Sequence, residues 1–409
     1  MPFHTHILAN GLEIIGETLP SSRSVSVGFF VNTGARDETG PESGVSHFLE
    51  HMVFKGTPHR TALEVNLHFD RIGASYNAYT SEESTVYYAS MLPEYLTTAV
   101  DILADILRPS LREEDFTTEK QVILEEIGMY EDMPSFAASD HARRIYFEQH
   151  PLGQSILGTK ESVGALTATQ MKTYFDRRYT APNIIASVAG NFDWPAFVKL
   201  LEAKCGDWPS TKAPRNNLVA AKGAGGTHVI PKEGVVQQHM MVISPGPSAE
   251  DASRYAAATL GLAIGDETGS RFYWELVHPG HVESASCGID QNMANGVVAS
   301  SFSCEPESTA ENLATLNAVL AEVQKNNITA EELATAKSKI VSRLVRHSER
   351  PSGRMRAIAS SWIYNREYHD IDVELNRFDA VTLESIREVM DRFPLTNTTA
   401  VTYGPATSV

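Results

Sequence analysis

His47, Glu50 and His51 stand three and four residues apart in Gly44-Val45-Ser46-His47-Phe48-Leu49-Glu50-His51. On a helix, those spacings place all three side chains on one face. Two imidazoles one turn apart can share a Zn²⁺ at about 2.0–2.1 Å. A carboxylate beside them is placed to take a proton from a water that the metal acidifies. The order His-x-x-Glu-His is the inverse of the commoner His-Glu-x-x-His zinc site. The chemistry predicted is metal-assisted hydrolysis of a peptide bond, with Glu50 as general base. The same spacing also occurs on helices whose histidines only pack or face solvent. A catalytic zinc usually has three protein ligands and one open position, so a third ligand must come from elsewhere.

The best source is the acidic run Glu119-Lys120-Gln121-Val122-Ile123-Leu124-Glu125-Glu126-Ile127. Glu119 and Glu126 are seven residues apart, about two helical turns, and share a face. One of the two carboxylates could bind metal while the other holds the water or a histidine. Glu125 lies roughly 100° round the helix from Glu126 and is expected to face solvent or another partner.

The elements that must carry these residues repeat along the chain. Ser24–Val31 begins with clean alternation and reads as a strand, and Val235–Ile243, with poorer alternation, takes its place in the second half. Helical segments follow at Val45–Val53 and Ala252–Leu262. Further strands follow at Ala74–Thr80 and Thr85–Met91, matched by Glu283–Ile289 and Gly296–Ser303. Amphipathic helices then run over Leu96–Leu107 and Thr309–Lys325. A β-then-α order repeated twice predicts an α+β protein of two homologous domains that arose by duplication, each an antiparallel-rich sheet packed with helices. Asp207-Trp208-Pro209 opens a polar stretch that ends in Gly223-Ala224-Gly225-Gly226, a composition suited to a mobile connection. The expected division is a zinc-binding domain over 1–212, a linker over 213–227, and over 228–409 a second domain for substrate enclosure and dimerisation.

The 409 residues exceed one ordinary core, and 42% hydrophobic with 21% charged residues is a globular composition. No run of about 18 apolar residues is present, which argues against a membrane span. The first residues lack the pattern of a secretory or organelle leader. Three widely spaced cysteines, Cys205, Cys287 and Cys304, do not make a disulfide framework. The expectation is a cytoplasmic protein. Residues 1–150 hold 23 Asp/Glu against 10 Lys/Arg, out of a net charge of −17 for the chain. That excludes nucleic acid, which needs clustered positive charge. It favours a basic peptide, provided that the charge lines a cleft rather than a merely soluble surface.

Four words in this order carry a resemblance: Gly44-Val45-Ser46-His47-Phe48-Leu49-Glu50-His51-Met52-Val53-Phe54-Lys55-Gly56-Thr57, Asn77-Ala78-Tyr79-Thr80-Ser81-Glu82-Glu83-Ser84-Thr85, Val122-Ile123-Leu124-Glu125-Glu126-Ile127 and Pro151-Leu152-Gly153-Gln154-Ser155-Ile156-Leu157-Gly158. Together they resemble the pitrilysin (insulinase-like) zinc metallopeptidases, which include mitochondrial processing peptidase and insulin-degrading enzyme. The length is similar to the short members that pair into dimers. The resemblance implies His47, His51 and Glu126 as zinc ligands, Glu50 as general base and Glu119 as a supporting carboxylate. It also implies that Asn77 and Ala78 lie on an edge strand that binds peptide substrate by backbone pairing.

In the second half, Gly269–Leu276 resembles the family's segment before a substrate-holding Arg and Tyr. Here Val277 and Glu283 stand at those two positions. Three explanations follow: a partner chain supplies the pair, as paired homologues do; His278 or His281 substitutes, although both read more simply as loop residues; or activity is weak or specialised. The partner is thus a homodimer copy or a paired homologue. Two other functions remain in view, a non-catalytic assembly subunit and a peptide-binding module of the same fold.

Overall fold

A computed structural model describes residues 2–216 and 218–409; Met1 and Asn217, the latter inside the expected linker, lie outside the described residues. The first sheet comprises β1 (Phe3–Ile7), β2 (Glu13–Thr18), β3 (Val25–Val31), β4 (Ser75–Thr80), β5 (Thr85–Met91) and β6 (Ile184–Gly190), in the order β1-β2-β6-β3-β5-β4. The second comprises β7 (Gly226–Pro231), β8 (Gln238–Gly246), β9 (Ser284–Asn292), β10 (Asn295–Cys304) and β11 (Thr399–Gly404), in the order β7-β11-β8-β10-β9. Apart from the additional β1, the orders correspond strand for strand. Each has one parallel pair, β2 with β6 and β7 with β11, and is otherwise antiparallel. The duplication and the α+β class expected from the element order are thus present in the topology.

All of β3 is buried because it is a central strand with helices on both faces. Helix Leu96–Ile106 packs on one face, through a stripe of Ala99, Val100, Ile102, Leu103 and Ile106. The other face is covered by helix Pro351–Asn365, whose Met355, Ile358 and Ala359 pack with Ile15, Phe30, Val86 and Ile185. That covering helix comes from the last sixty residues of the chain. The second sheet borrows in the opposite sense: helix Pro134–Phe147 packs on β8 and β11, with Ala142, Tyr146 and Phe147 against Ile243, Val297 and Val401.

The structural units are therefore not the contiguous stretches 1–212 and 228–409. One unit comprises residues 2–128, 154–216 and 346–370; the other comprises 129–153, the described residues from 218 to 345, and 371–409. The physical reason is that each sheet has two apolar faces, and the amphipathic helix that covers one of them is encoded in the other half. A buried ion pair secures the first exchange: Arg354 donates to both carboxylate oxygens of Glu17 on β2, at 2.6 to 3.1 Å.

Two smaller differences concern element bounds. Val235 and Val236 precede β8 rather than forming part of it, and Val236 is exposed. The expected linker does not remain a coil to its end, since Gly226 opens β7 beside β11. Among the described residues, no helix is long and apolar enough to cross a membrane.

Candidate metal centre

The helix Val45–Met52 begins where only glycine fits. Gly44 has φ +90°, and a Cβ there would stand 2.6 Å from the Leu157 carbonyl oxygen. Gly158, at φ +73°, approaches Ser43 equally closely. Leu157-Gly158, the end of the fourth sequence word, thus serves as the seat on which the motif helix starts. Glu38 closes that N-terminus: its two oxygens accept from Gly44 N and Ser46 N at 2.7 and 2.8 Å. An anion is favoured at a helix N-terminus, yet burial pushes the Glu38 carboxyl up to about 8, opposed by those two backbone bonds. Val45, Phe48, Leu49 and Met52 are buried and fix the helix against its neighbours; Phe48 stacks on Phe116 of helix Glu113–Glu131, with ring centroids 4.8 Å apart.

With that helix seated, His47, Glu50 and His51 face the acidic helix. Glu126 Oε2 lies 3.5 Å from His51 Nε2 and 3.9 Å from His47 Nε2. The ligand atoms of His47, His51 and Glu126 all fall within 4.8 Å of one another. Bonds of about 2.0–2.2 Å in a tetrahedral site separate ligand atoms by roughly 3.3–3.6 Å, so this group suits a zinc-sized ion. Among the described residues it is the one group of three or more His, Cys, Asp or Glu side chains placed to hold a metal.

The electrostatics agree with the geometry. Burial, then the neighbouring His51, pushes the His47 imidazole down to about 3, and a histidine that ligates a metal must be neutral. His47 Nδ1 is buried with no hydrogen-bond partner. Burial also opposes charge on His51, but the hydrogen bond to Glu119 and the charges of Glu126, Glu119 and Glu50 outweigh it and hold its pKa above the ordinary value. A cation in the site would occupy the field of these carboxylates.

Glu119, buried, accepts from His51 Nδ1 at 2.9 Å and pairs with Lys55 Nζ at 2.6 Å. Burial raises its pKa, but the bonds to His51 and Lys55 prevail and lower it. That contact directs the other nitrogen of His51 towards Glu126. Glu50 sits beside the two histidines without joining the three-ligand group. Burial raises its pKa, partly offset by Thr80, whose hydroxyl donates to Glu50 Oε2 at 2.6 Å. Glu125 is exposed.

Asn77 and Ala78 lie on β4, which pairs with β5 and forms the edge of its sheet. The Ala78 N–H donates to Asn77 Oδ1 at 2.8 Å. In the second unit, Val277 ends a π-helical turn, Tyr273–Val277. Glu283 accepts from Gln237 Nε2 at 3.0 Å. His278 and His281 are exposed, and His278 lies against the Trp274 ring with centroids 5.1 Å apart. Thr80, Lys55 and Glu38 were not singled out in the sequence as supports of the site. Thr80 and Lys55 belong to the quoted words, but no spacing relates them to Glu50 and Glu119 across separate elements.

The chain also matches known proteins along most of its length. The family described as Insulinase (Peptidase family M16) matches residues 13–160, and Peptidase M16 inactive domain matches residues 165–340. The chain is 32% identical over 408 residues to an uncharacterized zinc protease of Mycobacterium leprae, covering 98% of this chain and 91% of that one. It is 31% identical to an uncharacterized zinc protease of Bacillus subtilis, covering 92% of each. The crystal structure of a protease from Helicobacter pylori shares the fold with a TM-score of 0.91 at 21% identity, covering 98% of this chain and 99% of that one.

Proposed function

The chain belongs to peptidase family M16, the insulinase family, and from that membership we propose that it is a zinc-dependent endopeptidase acting on peptides or unstructured segments. The observation that carries the reading is the convergence of His47, His51 and Glu126, with Glu50 beside them. Zinc held by those three side chains would supply Lewis acidity and acidify a water at the site. Glu50 takes the water proton and returns it to the leaving amine; its raised pKa brings it nearer the working range of such a base. The Thr80 hydroxyl orients that carboxylate. Glu119 keeps the His51 tautomer that directs Nε2 at the site, while Lys55 balances the Glu119 charge. The open edge of β4, at Asn77 and Ala78, would receive the substrate backbone as an added strand.

A second reading, a peptide-binding module, is favoured by Val277 and Glu283, neither of which can donate as an Arg and Tyr pair would to a developing oxyanion. Zinc content and hydrolysis of a quenched peptide, measured for the wild type and for Glu50→Gln, separate the two. The endopeptidase reading expects one zinc in each protein and cleavage only in the wild type. Peptide binding without cleavage by the zinc-loaded wild type supports the second reading, and equal cleavage by both proteins removes Glu50 as the base.

A further inference from the structure

We infer that Arg356 forms a specificity subsite for an acidic side chain of the substrate, on the face of the β4 edge opposite the metal centre. The inference rests on the peptidase reading for the identity of its ligand. Successive residues of a strand point to opposite faces, and β4 shows both. Thr80 reaches Glu50, and Tyr76 stacks on Phe69 with centroids 4.1 Å apart, which marks the metal-facing side. Asn77 and Tyr79 therefore lie on the other side. Their cross-strand partners there are Tyr88 and Val86 of β5, and Tyr79 meets Tyr88 edge-on at 6.4 Å.

Arg356 enters that second face from helix Pro351–Asn365, the helix contributed by the end of the chain. Its guanidinium lies over the Tyr88 ring at 4.5 Å. A guanidinium stacked on an aromatic face keeps its in-plane N–H donors free for a carboxylate. Among the described residues Arg356 makes no ion pair; its Nε is buried without a hydrogen-bond partner, which leaves the two terminal nitrogens as the donors for a carboxylate. In the same unit Arg36 pairs with Glu83, Arg60 with Asp101 and Asp105, and Arg354 with Glu17, whereas Arg108, 4.0 Å over the Trp208 ring, is bonded among the described residues only to the Leu107 and Tyr179 carbonyls. An added strand would lie about 4.8 Å beyond β4. Its alternate side chains would then meet two environments. One set faces the carboxylates of Glu50 and Glu126, and the other faces Tyr79, 38% exposed, and the unpaired Arg356. A glutamate suits the second set because its carboxylate accepts two parallel N–H bonds from a guanidinium.

The test uses quenched peptides that differ by Glu, Gln or Lys at one position at a time, cleaved by the wild type, Arg356→Lys and Arg356→Glu. At one position, with the pattern alternating along the peptide, the wild type should favour Glu over Lys by roughly tenfold in kcat/KM. Arg356→Glu should invert that preference, Arg356→Lys should keep its sign, and preferences at metal-facing positions should not move. An unchanged preference at every position in Arg356→Glu overturns the inference. Fluorescence anisotropy of the labelled Glu and Lys peptides on the same proteins, with zinc chelated, separates the two claims. If the wild type binds the Glu peptide better, loses that in Arg356→Glu, and yet cleaves nothing, the subsite stands and the peptidase reading falls. If it binds neither peptide, or both equally, the subsite falls.

Discussion

Replacing Glu119 by Gln is a sharp test of how the metal centre is organised, because the substitution keeps the shape and removes the charge. Its carboxylate makes two contacts, 2.9 Å to His51 Nδ1 and 2.6 Å to Lys55 Nζ. A glutamine offers one acceptor oxygen, so either His51 loses its partner or Lys55 meets an amide N–H₂ and is left unpaired. In the first case the His51 tautomer is no longer fixed; in the second, an ammonium group stands near the site with no counter-charge. Loss of such a supporting partner typically weakens metal affinity by 10–100-fold, equivalent to about 1.4–2.8 kcal/mol. Zinc affinity is read by competition with a chromogenic chelator, beside Glu125→Gln as an exposed control on the same helix. Glu119→Gln should fall in that range and Glu125→Gln should match the wild type. Affinity for Glu119→Gln within threefold of the wild type would refute the view that this carboxylate organises His51.

Other expectations follow from the same structure. Arg354→Met leaves Glu17 buried without a partner and should lower stability by roughly 3–5 kcal/mol, whereas Glu17→Leu with Arg354→Met should recover most of the loss; the urea midpoint of the first unit is the readout. Folded Glu38 holds its proton up to about 8 while the unfolded chain releases it near 4.5. Between those values the folded state binds more protons, so stability from this group falls as pH rises. With zinc chelated, Glu38→Gln should show a flatter fall in melting temperature from pH 5 to pH 8 than the wild type; parallel curves would contradict the assignment. Gly44→Ala, at φ +90° and 2.6 Å from the Leu157 carbonyl oxygen, should cost at least about 1–2 kcal/mol and lower zinc occupancy, measured by thermal melting and metal analysis. Chelation should abolish peptide cleavage, and added zinc should restore it in the wild type but not in Glu50→Gln.

The sequence by itself determined the local part of the site. Three- and four-residue spacing places His47, Glu50 and His51 on one face, and seven-residue spacing aligns Glu119 with Glu126, because helical periodicity is a property of the chain and needs no neighbour. The repeated order of strands and helices likewise announced two related sheets. Only the tertiary structure decided which helix covers which sheet. Helices Pro134–Phe147 and Pro351–Asn365 each carry an apolar stripe, and such a stripe specifies that a face must be buried but not the sheet that buries it. The same limit hid Thr80 beside Glu50, Lys55 beside Glu119, and Arg356 over Tyr88. Each of those contacts joins separate elements, and in the last pair 268 positions separate residues that the fold brings to 4.5 Å. The proposed metal ligands were legible because two of them share a helix. The residues that orient them, and the one assigned to the substrate's far side, became visible only when packing had fixed how the strands and helices meet.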